Sequence, residues 1–277
     1  MHIPFHVTNF LRLALEEDIG NCDLTTTLLI PEDQRSRALM VAKENFIVAG
    51  MPFAREVFNI MDPKTEFKIF FDDGSRVRKG DMIAEIHGST RVLLSCERVG
   101  LNILQRLSGV ATLTSAFVEQ MKGTRTRIVD TRKTTPCMRF MEKYAVRIGG
   151  GSNHRCGLYD GVLIKDNHIE AAGGIKAAVA AARQTHHLSK IEVEVESLND
   201  LKEALSAGAD VVMLDNMSLK DMKEAISMVR GKALTEASGN MTLKRVREVA
   251  ETGVDLISVG AITHSAPAAD ISMKIVR

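Results

Sequence analysis

Residues 191–215, IEVEVESLNDLKEALSAGADVVMLD, decide the fold. A short apolar-rich run, Ile191 to Val195, leads into a helical pattern from Leu198 to Ala207 and then into a second such run, Val211 to Leu214. Two short runs joined by a helix-length segment form a βαβ unit, whose strands lie parallel because the helix carries the chain back across the sheet. The alternation extends to both sides. Strands are predicted at Arg127 to Asp130, Gly161 to Lys165, Ala233 to Glu236 and Leu256 to Val259, and helices at Ile175 to Arg183, Leu219 to Val229 and Leu243 to Thr252. Six or seven such units predict an α/β fold, a TIM-like barrel that is open or incomplete.

Organisation changes near residue 110. Upstream, Val7 to Ile19 carries apolar residues at helical spacing, and Arg37 to Ala49 and Glu66 to Phe71 read as strands. Asp72 to Ile86 alternates short strands with glycine turns, as hammerhead modules do, but has no lysine presented at a hairpin tip, so no prosthetic group is expected. Arg91 to Lys122 forms one long helical pattern, with Val99, Ile103, Leu104 and Leu107 on one side and Arg98, Asn102 and Gln105 on another. Spacing alone leaves Arg98 on a solvated face.

The 277 residues, 45% hydrophobic and 26% charged, suffice for one large or two moderate domains. Lys plus Arg total 36 against 35 for Asp plus Glu, so no basic excess points to nucleic acid, and any anion binding is local. Cys22, Cys96, Cys137 and Cys156 are too scattered for a zinc site or a disulfide framework, and reduced thiols in a cytoplasmic protein are expected. Met1 to Phe10 lacks a basic stretch followed by a long apolar run, and no segment is apolar for long enough to cross a bilayer, so no export and no membrane partner are expected.

The residues that follow the predicted strands carry the chemistry. They are Arg132 and Lys133, then Lys165, Glu194 with Glu196, Asp215 with Asn216, Glu236 with Ser238, and Gly260. In a barrel these strand ends share one mouth. Three basic clusters stand out: Asp130-Thr131-Arg132-Lys133-Thr134-Thr135-Pro136, Gly149 to Arg155, and Lys165-Asp166-Asn167-His168. Arg132, Lys133, His154, Arg155 and Lys165 form a cationic group that demands a ligand with more than one negative charge. Glu194 and Asp215, at the ends of neighbouring strands, are hard oxygen donors suited to magnesium that also holds a phosphate, or else each pairs with a nearby Lys or Arg. Ala237-Ser238-Gly239-Asn240 and Val259-Gly260-Ala261 each precede a helical segment, as late phosphate-binding loops of barrels do. No Ser-His-Asp or Cys-His arrangement appears. Cys137 reads as an ordinary small side chain, and His6, His168, His186 and His187 lack metal-ligand spacing.

Together these residues resemble the quinolinate phosphoribosyltransferase family. The resemblance runs from Glu16-Glu17-Asp18-Ile19-Gly20 and Asp23-Leu24-Thr25-Thr26, through Glu97-Arg98 and Leu107 to Thr112, to the three basic clusters and Ser258-Val259-Gly260. It implies an N-terminal α/β sandwich domain, 1–109, completed by about 267–277, and an α/β barrel catalytic domain, 110–266. It implies decarboxylating phosphoribosyl transfer, with quinolinate carboxylates held by Arg132, Arg155 and Lys165, and with Lys133 and His154 close by. Glu194 and Asp215 then face the ribose and magnesium of phosphoribosyl pyrophosphate, and Ser238, Gly239 and Gly260 face its 5-phosphate. Lys133, Lys165, Glu194 and Asp215 are the expected catalytic residues. A homodimer or higher homo-oligomer with shared active sites is implied, Arg98 being supplied by the partner subunit. Asn240 stands where many members carry a second glycine.

Rival readings remain at this level. They are a paralogue of the same fold found with molybdate-transport genes, another barrel enzyme acting on phosphorylated sugars, and a non-catalytic anion or nucleotide sensor. Retention of the basic group favours quinolinate over the first two, and the presence of both Glu194 and Asp215 disfavours the sensor.

Overall fold

The structure, a computed structural model, describes residues 2–276. Met1 and Arg277, the ends of the expected first domain, lie outside the described residues. The chain forms two compact units, one made of residues up to Leu113, Thr135–Gly149 and those from Ala266 on, the other of Thr114–Thr134 and Gly150–Ser265.

In chain order the elements are α1 (Phe5–Ile19), α2 (Leu24–Leu29), β1 (Arg35–Ala42), β2 (Phe46–Ile47), α3 (Met51–Met61), β3 (Glu66–Ile69), β4 (Arg76–Val77), β5 (Met82–Ser89) and α4 (Thr90–Glu119). They continue with β6 (Arg127–Val129), α5 (Arg139–Ile148), β7 (Val162–Ile164), α6 (Asp166–Ala172), α7 (Ile175–Ala182), β8 (Ile191–Val195), α8 (Leu198–Ala207) and β9 (Val211–Asp215). The last are α9 (Leu219–Val229), β10 (Leu234–Ser238), α10 (Leu243–Ala250), β11 (Leu256–Ser258), α11 (Ala261–His264) and β12 (Ile271–Val276).

The first unit is built on an antiparallel sheet in the order β12-β1-β5-β3, with β2 and β4 as a separate ribbon. The expected strand Arg37 to Ala49 is interrupted, because the chain leaves β1 after Ala42 and turns through Lys43–Asn45 before β2. The helical stripe read from the sequence of α4 is its buried face, with Val99, Ile103, Leu104 and Leu107 all buried. Burial of each such side chain contributes about 1.5–3 kcal/mol. Gly109 is obligatory there, since a Cβ would lie 1.9 Å from the Pro267 carbonyl oxygen. Asp23 caps α2 by accepting the Thr26 N–H at 2.9 Å and takes the Ser95 hydroxyl on its other oxygen, so this early motif is structural.

Segment 135–149, carrying α5, clusters with the first unit, although in sequence it lies inside the stretch expected to be barrel. The reason is Glu142. Its fully buried carboxylate accepts Nε and Nη2 of Arg106 at 2.9 and 2.8 Å, and also the Thr135 N–H and hydroxyl, while Arg106 Nη1 reaches the Ala266 carbonyl at 2.9 Å.

The second unit is the parallel sheet, in the order β6-β11-β10-β9-β8-β7. Its edge strands β6 and β7 are not paired with each other, so the barrel is open among the described residues. β8 and β9 have the two-sided burial of a parallel strand. Helices start directly after the strands because Ser197, Ser218 and Thr242 each accept the N–H of the third helical residue. Register places Ser238 beside Asp215, and Met213 between Glu194 and Glu236.

Candidate active site

The carboxyl ends of this sheet surround a cavity of about 500 Å³, with a second of about 180 Å³ sharing its wall. Glu194, Asp215, Gly239 and Gly260 line the larger, Arg132, His154, Arg155 and Glu236 the smaller, and Lys133, Lys165 and Ser238 line both. Ten of the eleven expected site residues therefore come together. The eleventh, Arg98, lies exposed on α4 and lines neither cavity.

In the larger cavity, Lys165 Nζ forms an ion pair with Glu194 Oε2. The alternative reading of Glu194, a carboxylate matched to a cation, thus holds within the site itself. The Asp215 carboxylate accepts the Asn216 amide at 2.7 Å, and Asn216 in turn accepts the Asn240 amide at 3.2 Å. Both asparagines have left-handed backbone, φ 52° and 48°, a conformation that Asn tolerates better than most residues. Gly239 sits beneath them at φ 95°, and a Cβ on it would come within 2.1 Å of Asn216 Oδ1. Glu194 and Asp215 both line this cavity, and carboxylate oxygens are the hard donors that suit magnesium. Asn216 and Asn240 were read at the mouth without a role of their own, and the cavity-lining His264 was not singled out from the sequence.

The basic loop is pinned from two sides. The Thr263 hydroxyl donates to the Lys133 carbonyl at 2.8 Å, and fully buried Asp130 takes the His154 N–H at 2.9 Å and the Asn153 amide at 2.6 Å. Arg155 donates to the Gly161 carbonyl at 2.9 Å. Burial, and after it the charge of Arg132, lower its affinity for its proton.

The structure brings His154 into the smaller cavity with the other members of the cationic group. Its Nδ1 accepts the Arg155 N–H at 2.8 Å, and its Nε2 lies 2.9 Å from Glu192 Oε2. His168 likewise accepts the Lys165 N–H and serves as a cap. His154, Glu192 and Glu236 lie close enough together to hold a metal ion. The pocket already carries Arg132, Lys133, Arg155 and Lys165, however, which oppose a further cation.

Glu192 is an important residue that sequence reasoning left out, and Glu236 was read at the mouth without a role being assigned to it. Burial, and then the neighbouring charge of Glu192, push the Glu236 carboxyl up to about 8. The signal was present: glutamates at alternate positions of a buried strand, Glu192 and Glu194, face the same side.

An open parallel α/β barrel with acids, glycine-bearing turns and a cationic pocket at one mouth has the architecture of an enzyme that acts on anionic small molecules. Comparison with known proteins agrees. The profile described as "Quinolinate phosphoribosyl transferase, C-terminal domain" matches residues 110–274, and its N-terminal counterpart matches 23–108. The chain is 46% identical over 260 residues to the "Probable nicotinate-nucleotide pyrophosphorylase [carboxylating]" of Bacillus subtilis, covering 94% of this chain and 90% of that one. It is 40% identical to a "Quinolinate phosphoribosyltransferase [decarboxylating] 2b, mitochondrial" of Nicotiana tabacum, covering 99% and 83%. Its fold superposes on the crystal structure of NadC from Streptococcus pyogenes with a TM-score of 0.95 at 42% identity, covering 100% and 98%. The chain belongs to the quinolinate phosphoribosyltransferase family.

Proposed function

We propose that the two cavities bring quinolinate and phosphoribosyl pyrophosphate together and yield nicotinate mononucleotide, carbon dioxide and pyrophosphate, a step of NAD biosynthesis. The observation that carries this reading is the shared wall: Lys133, Lys165 and Ser238 line both cavities, so an acceptor in one lies against a donor in the other.

Arg132 and Arg155 offer planar forks for the two carboxylates, with Lys165 as a compact charge beside them. His154 fixes the Arg155 backbone through Nδ1. Ser238, Gly239 and Gly260 receive the 5-phosphate, where backbone can approach closely. Glu194 and Asp215 face the ribose and stabilise the positive charge that develops as its C1–oxygen bond to pyrophosphate breaks and the pyridine nitrogen bonds to C1. The same two carboxylates would hold magnesium, which supplies charge neutralisation for the departing pyrophosphate. Lys133 and Lys165 add fixed positive charge beside that leaving group. The quaternised ring then releases its 2-carboxylate as carbon dioxide; the electron pair stays on C2 and is taken up by a proton. The ring cation stabilises that carbanion, so no protein nucleophile is required.

The working form in this reading is a homodimer or higher homo-oligomer in the cytoplasm, with Arg98 entering the quinolinate pocket of the partner subunit. No helix among the described residues is long and apolar enough to cross a membrane. Calorimetric titration tests the pocket assignment. Quinolinate binds the unsubstituted protein, and Arg155→Ala weakens that binding more than tenfold while leaving phosphoribosyl pyrophosphate binding within threefold. Equal loss for both ligands contradicts the assignment.

A further inference from the structure

Glu236 is a charged residue type in an unusual place. It is fully buried on β10, yet it lines the smaller cavity. Both of its oxygens and Glu192 Oε1 lack a hydrogen-bond partner among the described residues. His154 does not supply one. Its Nε2 lies 2.9 Å from Glu192 Oε2, while Glu236 Oε2 is 3.6 Å away. Buried acceptors are ordinarily satisfied, so three orphaned oxygens side by side signal a missing donor. A proton on Glu236 supplies one toward Glu192, and the Ser258 hydroxyl is the other donor group that faces Glu236.

We propose that Glu236 acts as a neutral carboxylic acid in the floor of the acceptor pocket, and that its proton is what allows the pocket to hold a dianionic ligand. The inference rests on the dicarboxylate reading of that pocket. The groups around Glu236 make its charge consequential. Glu192 faces it from β8, the Ser258 hydroxyl from β11 and the His154 imidazole from the loop before β7, while β9 between the two acids contributes apolar Met213. At the open side stand Arg132, Lys133, Arg155 and Lys165. With Glu236 neutral, one carboxylate, Glu192, lies beneath these cations. With Glu236 ionised, two buried carboxylates repel each other and the incoming anion, and cancel part of the field that recruits it. Glu236 is thus a positioning residue that sets the pocket's charge without bonding to the reacting atoms.

The test is quinolinate binding by calorimetry from neutral pH to about pH 9.5, with phosphoribosyl pyrophosphate binding as internal control. For one proton required by the bound state, the quinolinate dissociation constant is flat below about 8 and rises roughly tenfold per pH unit above it. Glu236→Gln, neutral at every pH, flattens the rise. A flat profile in the unsubstituted enzyme, or the same rise in the variant, overturns the inference. Absence of quinolinate binding at neutral pH overturns the dicarboxylate reading along with it. Should Glu236→Gln fail to fold, infrared spectroscopy of the unsubstituted protein decides. A protonated-carboxylic-acid band that titrates away near 8 supports the neutral acid, and no such band overturns it.

Discussion

Lys165 and Glu194, at the carboxyl ends of the adjacent strands β7 and β8, meet as an ion pair in the wall of the larger cavity. The lysine also lines the smaller cavity, so it touches both halves of the proposed reaction. Lys165→Ala removes positive charge from the leaving-group side and from the acceptor, and kcat is expected to fall by about 10²–10³ with the fold retained. Steady-state kinetics together with far-ultraviolet circular dichroism check this. A variant within fivefold of normal removes Lys165 from the catalytic set.

Gly239→Ala puts a methyl group where Asn216 Oδ1 lies 2.1 Å from the would-be Cβ, on backbone at φ 95°. The phosphate turn and the Asn216–Asp215 contact cannot both survive that substitution. The KM for phosphoribosyl pyrophosphate rises more than tenfold while that for quinolinate stays within about threefold. Parallel increases in both would mean that the turn serves the whole mouth rather than the phosphate.

These particular residues show what could be read in advance. The parallel sheet was legible because β8, α8 and β9 carry unmixed periodicities, and Ile191–Val195, Leu198–Ala207 and Leu219–Val229 are found as predicted. The strand-end cations and acids were legible because the fold class fixes which end of each strand forms the mouth. α3 and α5 were not foreseen, and α5 is held by the Arg106–Glu142 pair, a long-range contact that periodicity does not encode. The contacts of His154 were out of reach for a similar reason, since only the folded chain brings a backbone N–H and a strand glutamate to its ring.

Removing one partner of the buried Arg106–Glu142 pair leaves an uncompensated charge. Glu142→Ala is expected to cost about 3–5 kcal/mol in urea unfolding. A loss below about 1 kcal/mol would show that the pair is replaceable by water.

If Arg98 is donated across a subunit interface, neither Arg98→Ala nor Lys165→Ala homo-oligomers should turn over. Mixed oligomers then regain about a quarter of normal activity, because a dimer combining one subunit of each kind has one site with both residues intact, and half the dimers in an equal mixture are of that kind. Light scattering and mass spectrometry establish that subunits have exchanged. Exchange without recovery excludes a shared site.

The most direct measurement follows turnover. Purified protein is incubated with magnesium, phosphoribosyl pyrophosphate and either quinolinate or nicotinate, and nicotinate mononucleotide and carbon dioxide are quantified. Equimolar nucleotide and carbon dioxide from quinolinate, with nothing from nicotinate, is the predicted result. Nucleotide formed equally well from nicotinate, or no product from either acid, contradicts the dicarboxylate pocket and the reaction built on it.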